Sequence, residues 1–406
     1  MAYHGKKNHS IVQQKTVSST PETPESGYSK MYPKDDNCWY YLDSSGCERS
    51  LSGGAGGSII SVGTGTCSTY RINNSNIADS QYSTVFGFGN TISTYSQYST
   101  ISGGRLNSIT GFSSTIGGGR CNIANNAGST IAGGCNNIAN CNWSTIGGGF
   151  GNTVNSRCST VVGGVSNTAS GYETFVGSGR GNTASGNYST VVGGLNNIAN
   201  GGTSTIAGGW CNRATALLSV VSGGYCNNSL CNSSIVAGGQ NNYSQGNYSV
   251  ISGGTSNTAS GTYSIISGGN TNTATAIGSI VSGGVRNTAS SYYSVIGGGK
   301  NNTGSGSYSI IAGGRCNTSS GVFSTILGGG GSCVACSNIA SGSYSAILGG
   351  SGNTAGCAYS GIFGCNITAI TARTFHVNCL AIMNIPTTNP GIAGLVWSDS
   401  CVLKIV

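Results

Sequence analysis

One residue series constrains this chain more than anything else in it. Stepping by 15 from Ile101 gives Ile116, Ile131, Ile146, Val161, Val176, Val191, Ile206, Val221, Val236, Ile251, Ile266, Val281, Ile296, Ile311 and Ile326, every one β-branched and apolar. A second series starts at Asn107 and runs through Asn122, Asn137 and Asn152 to Asn317 without exception. Gly104 opens an equally strict glycine series that reaches Gly329. Two residues after the Asn the side chain is usually small, as at Ala124, Ala139, Ala169, Ala184, Ala199, Ala259, Ala274 and Ala289. The unit reads Tyr-Ser-x-Ile-x-Gly-Gly-x-x-Asn-x-Ala-Ser-Gly. A six-residue insertion falls near Gly330 to Ser337, after which the phase resumes at Asn338 and Asn353. A period of this kind marks a stacked-repeat architecture.

The local chemistry selects strands. Ser-x-Ile-x-Gly places β-branched residues at period two. Paired glycines in every repeat would cost a helix about 1 kcal/mol each relative to alanine. At a corner the same glycines supply positive φ, and Asn at the next bend can bond the backbone or itself adopt the left-handed conformation. Fifteen residues form one narrow coil with two or three short strands. Stacking at about 4.8 Å then turns the Ile/Val series into an internal apolar ladder, Asn into an amide ladder, and about 18 coils into a shaft of roughly 80–90 Å. The expected fold is all-β, a parallel β-solenoid of 15-residue coils over 82–366.

Composition agrees. Only 6% of residues are charged, Gly numbers 71 of 406 and Pro 5, which excludes an ordinary α/β enzyme and collagen. The net charge of +8 is not clustered into a patch of the kind nucleic acid requires. No apolar run is long enough to span a membrane, and the polar start Met1–Ser10 lacks the apolar core of a secretory signal.

The residue before each core Ile/Val points to the opposite face of its strand. It is Thr at Thr100, Thr115, Thr130, Thr145, Thr160, Thr190 and Thr205, and aliphatic at Val220, Ile235, Val250, Ile265, Ile280, Val295 and Ile310. An outer aliphatic stripe of that length needs covering, which predicts burial against other copies of the chain. The alternative is a wider core that takes both positions. The residue after the glycine pair varies freely, as expected of an exposed corner. Arg105, Arg120, Arg180, Trp210, Tyr225, Lys300 and Arg315 there are candidates for binding glycans or acidic polymers through charge and stacking; a solubility stripe is the simpler account.

Catalysis is not expected. Glu173 is the sole acidic residue between 82 and 366, so no carboxylate pair exists for glycoside cleavage. A Ser-His-Asp constellation could draw only on His376 and Asp399, with no nucleophile elbow in sight. Asn stands where a calcium-binding solenoid repeat needs Asp. Cys333-Val-Ala-Cys336 would need two more ligands at suitable spacing for a structural zinc site; Cys316 and Cys357 flank it, but a loop disulfide or free thiols fit better. Cys211 and Cys226 sit one coil apart, where ladder-filling thiols are the simpler reading than a disulfide. No cofactor or metal is expected.

Both ends differ from the repeat. Residues 1–27 read as a flexible arm, 28–51 as a small β-hairpin or meander around Asp35-Asp36-Asn37 and Ser45-Gly46, 52–81 as a Gly-rich linker and lead-in to the solenoid, and 367–406 as a C-terminal β cap or trimerisation segment.

The consensus resembles the head repeats of trimeric autotransporter adhesins, the YadA-like parallel β-roll. That resemblance implies a left-handed coil and a homotrimer. Tyr32-Pro33-Lys34-Asp35-Asp36 with Trp39-Tyr40-Tyr41 and Gly46 is similar to N-terminal modules of tail-fibre-like proteins of bacteriophages and large DNA viruses. Ile385-Pro386-Thr387-Thr388-Asn389-Pro390-Gly391 through Trp397-Ser398-Asp399 and Val402-Leu403-Lys404-Ile405 looks like a C-terminal segment of the same group. These likenesses imply a trimeric virion fibre or decoration protein assembled in host cytoplasm. It would attach to other virion proteins through residues 1–51 and present its shaft to a host glycan or receptor, without nucleic-acid binding or membrane insertion. The alternatives are a cellular trimeric adhesin and an ice-binding solenoid. Against the latter, the outer Thr series lapses after Thr205.

Overall fold

The computed structural model describes residues 75–331 and 336–378, together with the backbone of the short strands Lys30–Pro33, Trp39–Leu42, Glu48–Ser50, Ser61–Val62, Thr69–Tyr70, Val396–Asp399 and Val402–Ile405. The chain divides into two compact units, Met1–Gly253 and Gly254–Val406. Each is built from parallel β-solenoid coils, and no described residue is in an α-helix. Among the described residues no helix is long and apolar enough to cross a membrane.

From Thr84 to Ala340 the coils contribute two strands of two residues each, and longer strands follow at Ala346–Gly349, Gly361–Phe363 and Phe375–Val377. The first strand of a coil, such as Thr115–Ile116, pairs in parallel with the equivalent strands one coil before and after, Thr100–Ile101 and Thr130–Ile131. These form the front sheet. The second, such as Ile123–Ala124, pairs with Ser108–Ile109 and Ile138–Ala139 to form the back sheet. Between them the corner residue makes a single parallel bridge to its neighbours, as Arg105 does with Arg120 and Arg120 with Cys135. Strands this short follow from the sequence: glycines and left-handed residues interrupt extended backbone three times per coil.

The interior is a set of one-residue-wide ladders. Ile101, Ile116, Ile131 and Ile146 are fully buried on the front sheet, and Ala124, Ala139, Ala169 and Ala184 on the back sheet. Burying one such Ile contributes about 1.5–3 kcal/mol. The Asn series is buried as well, and its amide has a defined task. Asn152 Nδ2 donates to Gly148 O at 2.8 Å in its own coil and to Gly164 O at 2.9 Å in the next. Its Oδ1 accepts the backbone N–H of Asn167 at 2.9 Å. Asn107, Asn122 and Asn137 repeat the pattern. Asn therefore serves by bonding backbone. The left-handed conformation falls to the residue before it, as at Leu106, Cys121 and Asn136.

In the pair Gly118–Gly119 only the second glycine needs its freedom. Gly119 has φ +88°, and a Cβ there would lie 2.0 Å from Gly134 O. Its predecessor Gly118 faces open space.

The ladders extend past both expected limits of 82–366. Thr69–Tyr70 already pairs in parallel with Thr84–Val85, Ile77–Ala78 with Thr91–Ile92, and Phe375–Val377 with Gly361–Phe363. The early coils escape a search at strict period 15 because their rungs are 14 and 17 residues apart at Ile77↔Thr91 and Thr91↔Ser108. The six-residue insertion leaves the ladder intact. Thr318 pairs with Ile339 and Thr325 with Ala346, while Asn338 N–H reaches Asn317 Oδ1 at 3.4 Å.

At the ends, Lys30–Pro33, Trp39–Leu42 and Glu48–Ser50 form an antiparallel meander, and Val396–Asp399 pairs antiparallel with Val402–Ile405. The expected arm at 1–27, the Gly53–Ser58 linker, His4, His9, Cys333 and the Ile385–Leu395 segment lie outside the described residues.

Candidate interaction surfaces

The outer side of the front sheet carries the aliphatic series. In the first unit Thr205, Val220, Ile235 and Val250 stand in register on successive coils. In the second, Ile265, Ile280, Val295 and Ile310 do the same before Thr325 follows. Their strand partners Val221, Val236, Ile251, Ile266, Val281, Ile296 and Ile311 are fully buried, whereas Ile235 and Ile265 are 36% exposed and Ile310 43%. The core is thus one ladder wide, and the second position lies outside it.

Beside that stripe runs an aromatic column to which sequence reasoning assigned no role. Each member precedes the buried Ser of its coil and has a left-handed φ of 51–59°: Tyr293, Tyr308, Phe323, Tyr344 and Tyr359. Their rings stack with centroids 5.4, 4.8, 5.0 and 4.9 Å apart, nearly parallel, and Arg373 caps Tyr359 at 5.8 Å. A bulky side chain at positive φ costs about 1–2 kcal/mol, and a stacked pair returns about 0.5–1.5 kcal/mol. The ladder therefore offsets the conformation it requires. The Tyr at the head of the repeat consensus was the available signal.

Within the first unit the corner candidates are not contiguous along the column. Arg105 and Arg120 are neighbours, with Arg105 over the Phe88 ring at 5.6 Å. Arg180 stands between Val165 and Leu195, Trp210 pairs with Tyr225, and Lys300 with Arg315. All seven are exposed.

Near Trp210 the repeat itself breaks. The outward position of the back sheet, Ile or Thr in most coils, becomes Arg213, Asn228 and Tyr243 on three successive rungs. Together with Asn196, Ile198, Cys211 and Cys226 they line an open surface depression of about 450 Å³. Trp210 and Tyr225 directly precede the lining residues Cys211 and Cys226 in sequence, and their ring centroids lie 5.0 Å apart at 77°. Both thiols are free. Burial, with the adjacent Cys226 behind it, pushes the Cys211 thiol above its ordinary value, and Arg213 acts the other way. A hydrogen bond to Cys226 likewise pushes the Tyr225 hydroxyl up. Sequence reasoning saw the cysteines and the corner aromatics but not Arg213, Asn228 and Tyr243. Reading the back-sheet column by itself would have exposed them. Elsewhere, Cys336 is disulfide-bonded, as a loop disulfide in Cys333-Val-Ala-Cys336 would require of it, and His376 Nε2 lies 2.8 Å from Thr374 Oγ1.

No protein-family model matches the chain, and a comparison with curated proteins finds no match.

Proposed function

We propose that this chain is a non-enzymatic structural protein, a homotrimeric fibre or decoration protein of a virion whose rigid coils project or attach to a host surface. The outward aliphatic column carries the reading. Ile265, Ile280, Val295 and Ile310 form an apolar stripe beside the stacked rings of Tyr293, Tyr308 and Phe323, and no carboxylate occurs between residues 254 and 378. Charge depletion beside aromatic residues is the composition of an interface core. A partner that matches rungs spaced at about 4.8 Å needs the same axial period, which another copy of this chain supplies. The trimer and the left-handed coil come from the likeness to adhesin head repeats. The virion assignment, and a role for residues 1–51 in joining other virion proteins, come from the likeness of the two ends to tail-fibre-like proteins. Light scattering of the intact chain is expected to give three times the chain mass, and Ile280→Asn with Ile310→Asn to lower it. A monomeric wild type overturns the assembly. Mass spectrometry of purified virions tests the location separately.

One observation favours a second reading, an ice-binding solenoid. On the back sheet of the second unit Thr258, Thr273, Thr288, Thr303 and Thr318 stand in register. Each is followed two residues on by a further hydroxyl, Ser260, Thr275, Ser290, Ser305 or Ser320. The lapse after Thr205 concerns only the front sheet. Thermal hysteresis at micromolar protein supports this reading, and its absence removes it.

A further inference from the structure

We propose that the depression around Arg213 is a glycan site for an acidic sugar, one bearing a carboxylate or sulfate, with Arg213 holding the anion and the Trp210–Tyr225 pair packing against the ring. The site lies on the corner and the back sheet, away from the outer front face, and stands whether or not the chain assembles.

Four observations converge. First, the repeat tolerates Thr or Ile at the back-sheet position in coil after coil, so folding does not ask for Arg213, Asn228 and Tyr243 there. Three departures on consecutive rungs mark a place where something other than the coil chose the residues. Second, the departures line an open surface depression of about 450 Å³, large enough to seat a sugar ring against the wall. Third, Arg213 is exposed and no carboxylate among the described residues pairs with it. A guanidinium fork matches carboxylate and sulfate oxygens in a bidentate arrangement.

Fourth, the aromatic geometry here differs from the column described above. The rings of Tyr308, Phe323, Tyr344 and Tyr359 stack face to face and cover one another. Trp210 and Tyr225 meet edge to face, which leaves ring faces open, and they are 47% and 38% exposed. An open aromatic face beside polar amides accepts the C–H face of a pyranose. Asn228 spends its Nδ2 on Cys226 O at 3.0 Å, which orients its Oδ1 to accept a sugar hydroxyl. Asn196 offers a second amide from the same wall.

The test titrates the full chain with sialyllactose, sulfated lactose and plain lactose, following binding by calorimetry. The two acidic sugars are expected to bind about tenfold or more tighter than lactose, with the difference shrinking as salt rises. Arg213→Thr restores the residue the repeat uses at this position, so the coil keeps its melting temperature while the acidic sugars fall to the lactose level. Trp210→Val weakens all three together. Arg286→Thr, which removes a cation elsewhere, changes nothing. Binding by only one acidic sugar supports the site and tells carboxylate from sulfate. Equal binding of acidic and neutral sugars, full acidic-sugar binding by Arg213→Thr, or no binding at all overturns it.

Discussion

At the scale of single residues, Asn152 shows why one amide recurs in every coil. Its buried side chain satisfies two half-buried glycine carbonyls and one buried backbone N–H. Removing it strands three polar groups, each of which costs about 1–3 kcal/mol when left unpaired. Asn152→Ala is therefore expected to destabilise its coil by about 3 kcal/mol or more, read as faster hydrogen exchange at the Asn167 amide. Unchanged exchange there would contradict the account. Asn152→Asp keeps the shape but replaces the donor amide with an acceptor oxygen facing the carbonyls of Gly148 and Gly164. Burial raises the folded pKa of that carboxyl above the unfolded value of about 3.9. The stability of the variant is then fully present below the unfolded value and is lost as pH rises through the folded one. Its deficit against wild type is expected to be smaller near pH 3 than near pH 7, measured by urea denaturation at both. Periodicity made the Asn series legible, because a buried amide ladder has no substitute. It could not say which residue takes the left-handed turn, because Leu106, Cys121, Asn136 and Ser166 share that φ and nothing else.

At the scale of the coil, the two sheets face each other across a space one side chain deep, and Gly304 tests how full it is. It occupies the alanine position of its coil, and a Cβ there would meet Ser309 Oγ at 3.4 Å, Ile296 Cγ1 at 3.6 Å and Ser294 Cβ at 3.6 Å. Those are ordinary contacts, so Gly304→Ala is expected to stabilise by about 0.4–1 kcal/mol. Gly304→Ser goes further. Ser309 Oγ is buried without a partner, and the equivalent pairs Ser319–Ser324 and Ser244–Ser249 bond at 2.6 Å. The serine variant is expected to melt higher than the alanine one by the worth of one hydrogen bond, about 1 kcal/mol. Gly299→Ala is the contrast. Its φ is +90° and its Cβ would lie 2.0 Å from Gly314 O, so its melting temperature falls. The opposition of Ile to Ala was readable from their fixed offset. The aromatic column was not read, although Tyr recurred in the same consensus, since an exposed residue that repeats has no core to explain it. Arg213, Asn228 and Tyr243 were hidden for the opposite reason: a search for what repeats discards what does not.

At the scale of the whole molecule, a chain of coils differs from a globular domain in how damage spreads. Among the described residues of the first unit, the ladder hydrogen bonds of each rung run to the rungs before and after it: Thr130 N–H to Ser144 O and Thr115 N–H to Ser129 O, both 2.9 Å. Stability in such an array is a sum of coil and nearest-neighbour contributions. Ile131→Asp puts a carboxylate in a fully buried site flanked by Ile116 and Ile146, and an unpaired buried charge costs several kcal/mol. A globular core would transmit that loss everywhere. Here the amides around Ile116, Ile131 and Ile146 are expected to lose hydrogen-exchange protection. Those around Val191, Ile206 and Val221, four to six rungs on in the same unit, are expected to keep theirs. Mass-spectrometric exchange on peptides from the two regions separates the cases. Equal loss in both would mean that the unit melts as one cooperative body, and that its rungs are coupled over a longer range than their hydrogen bonds reach.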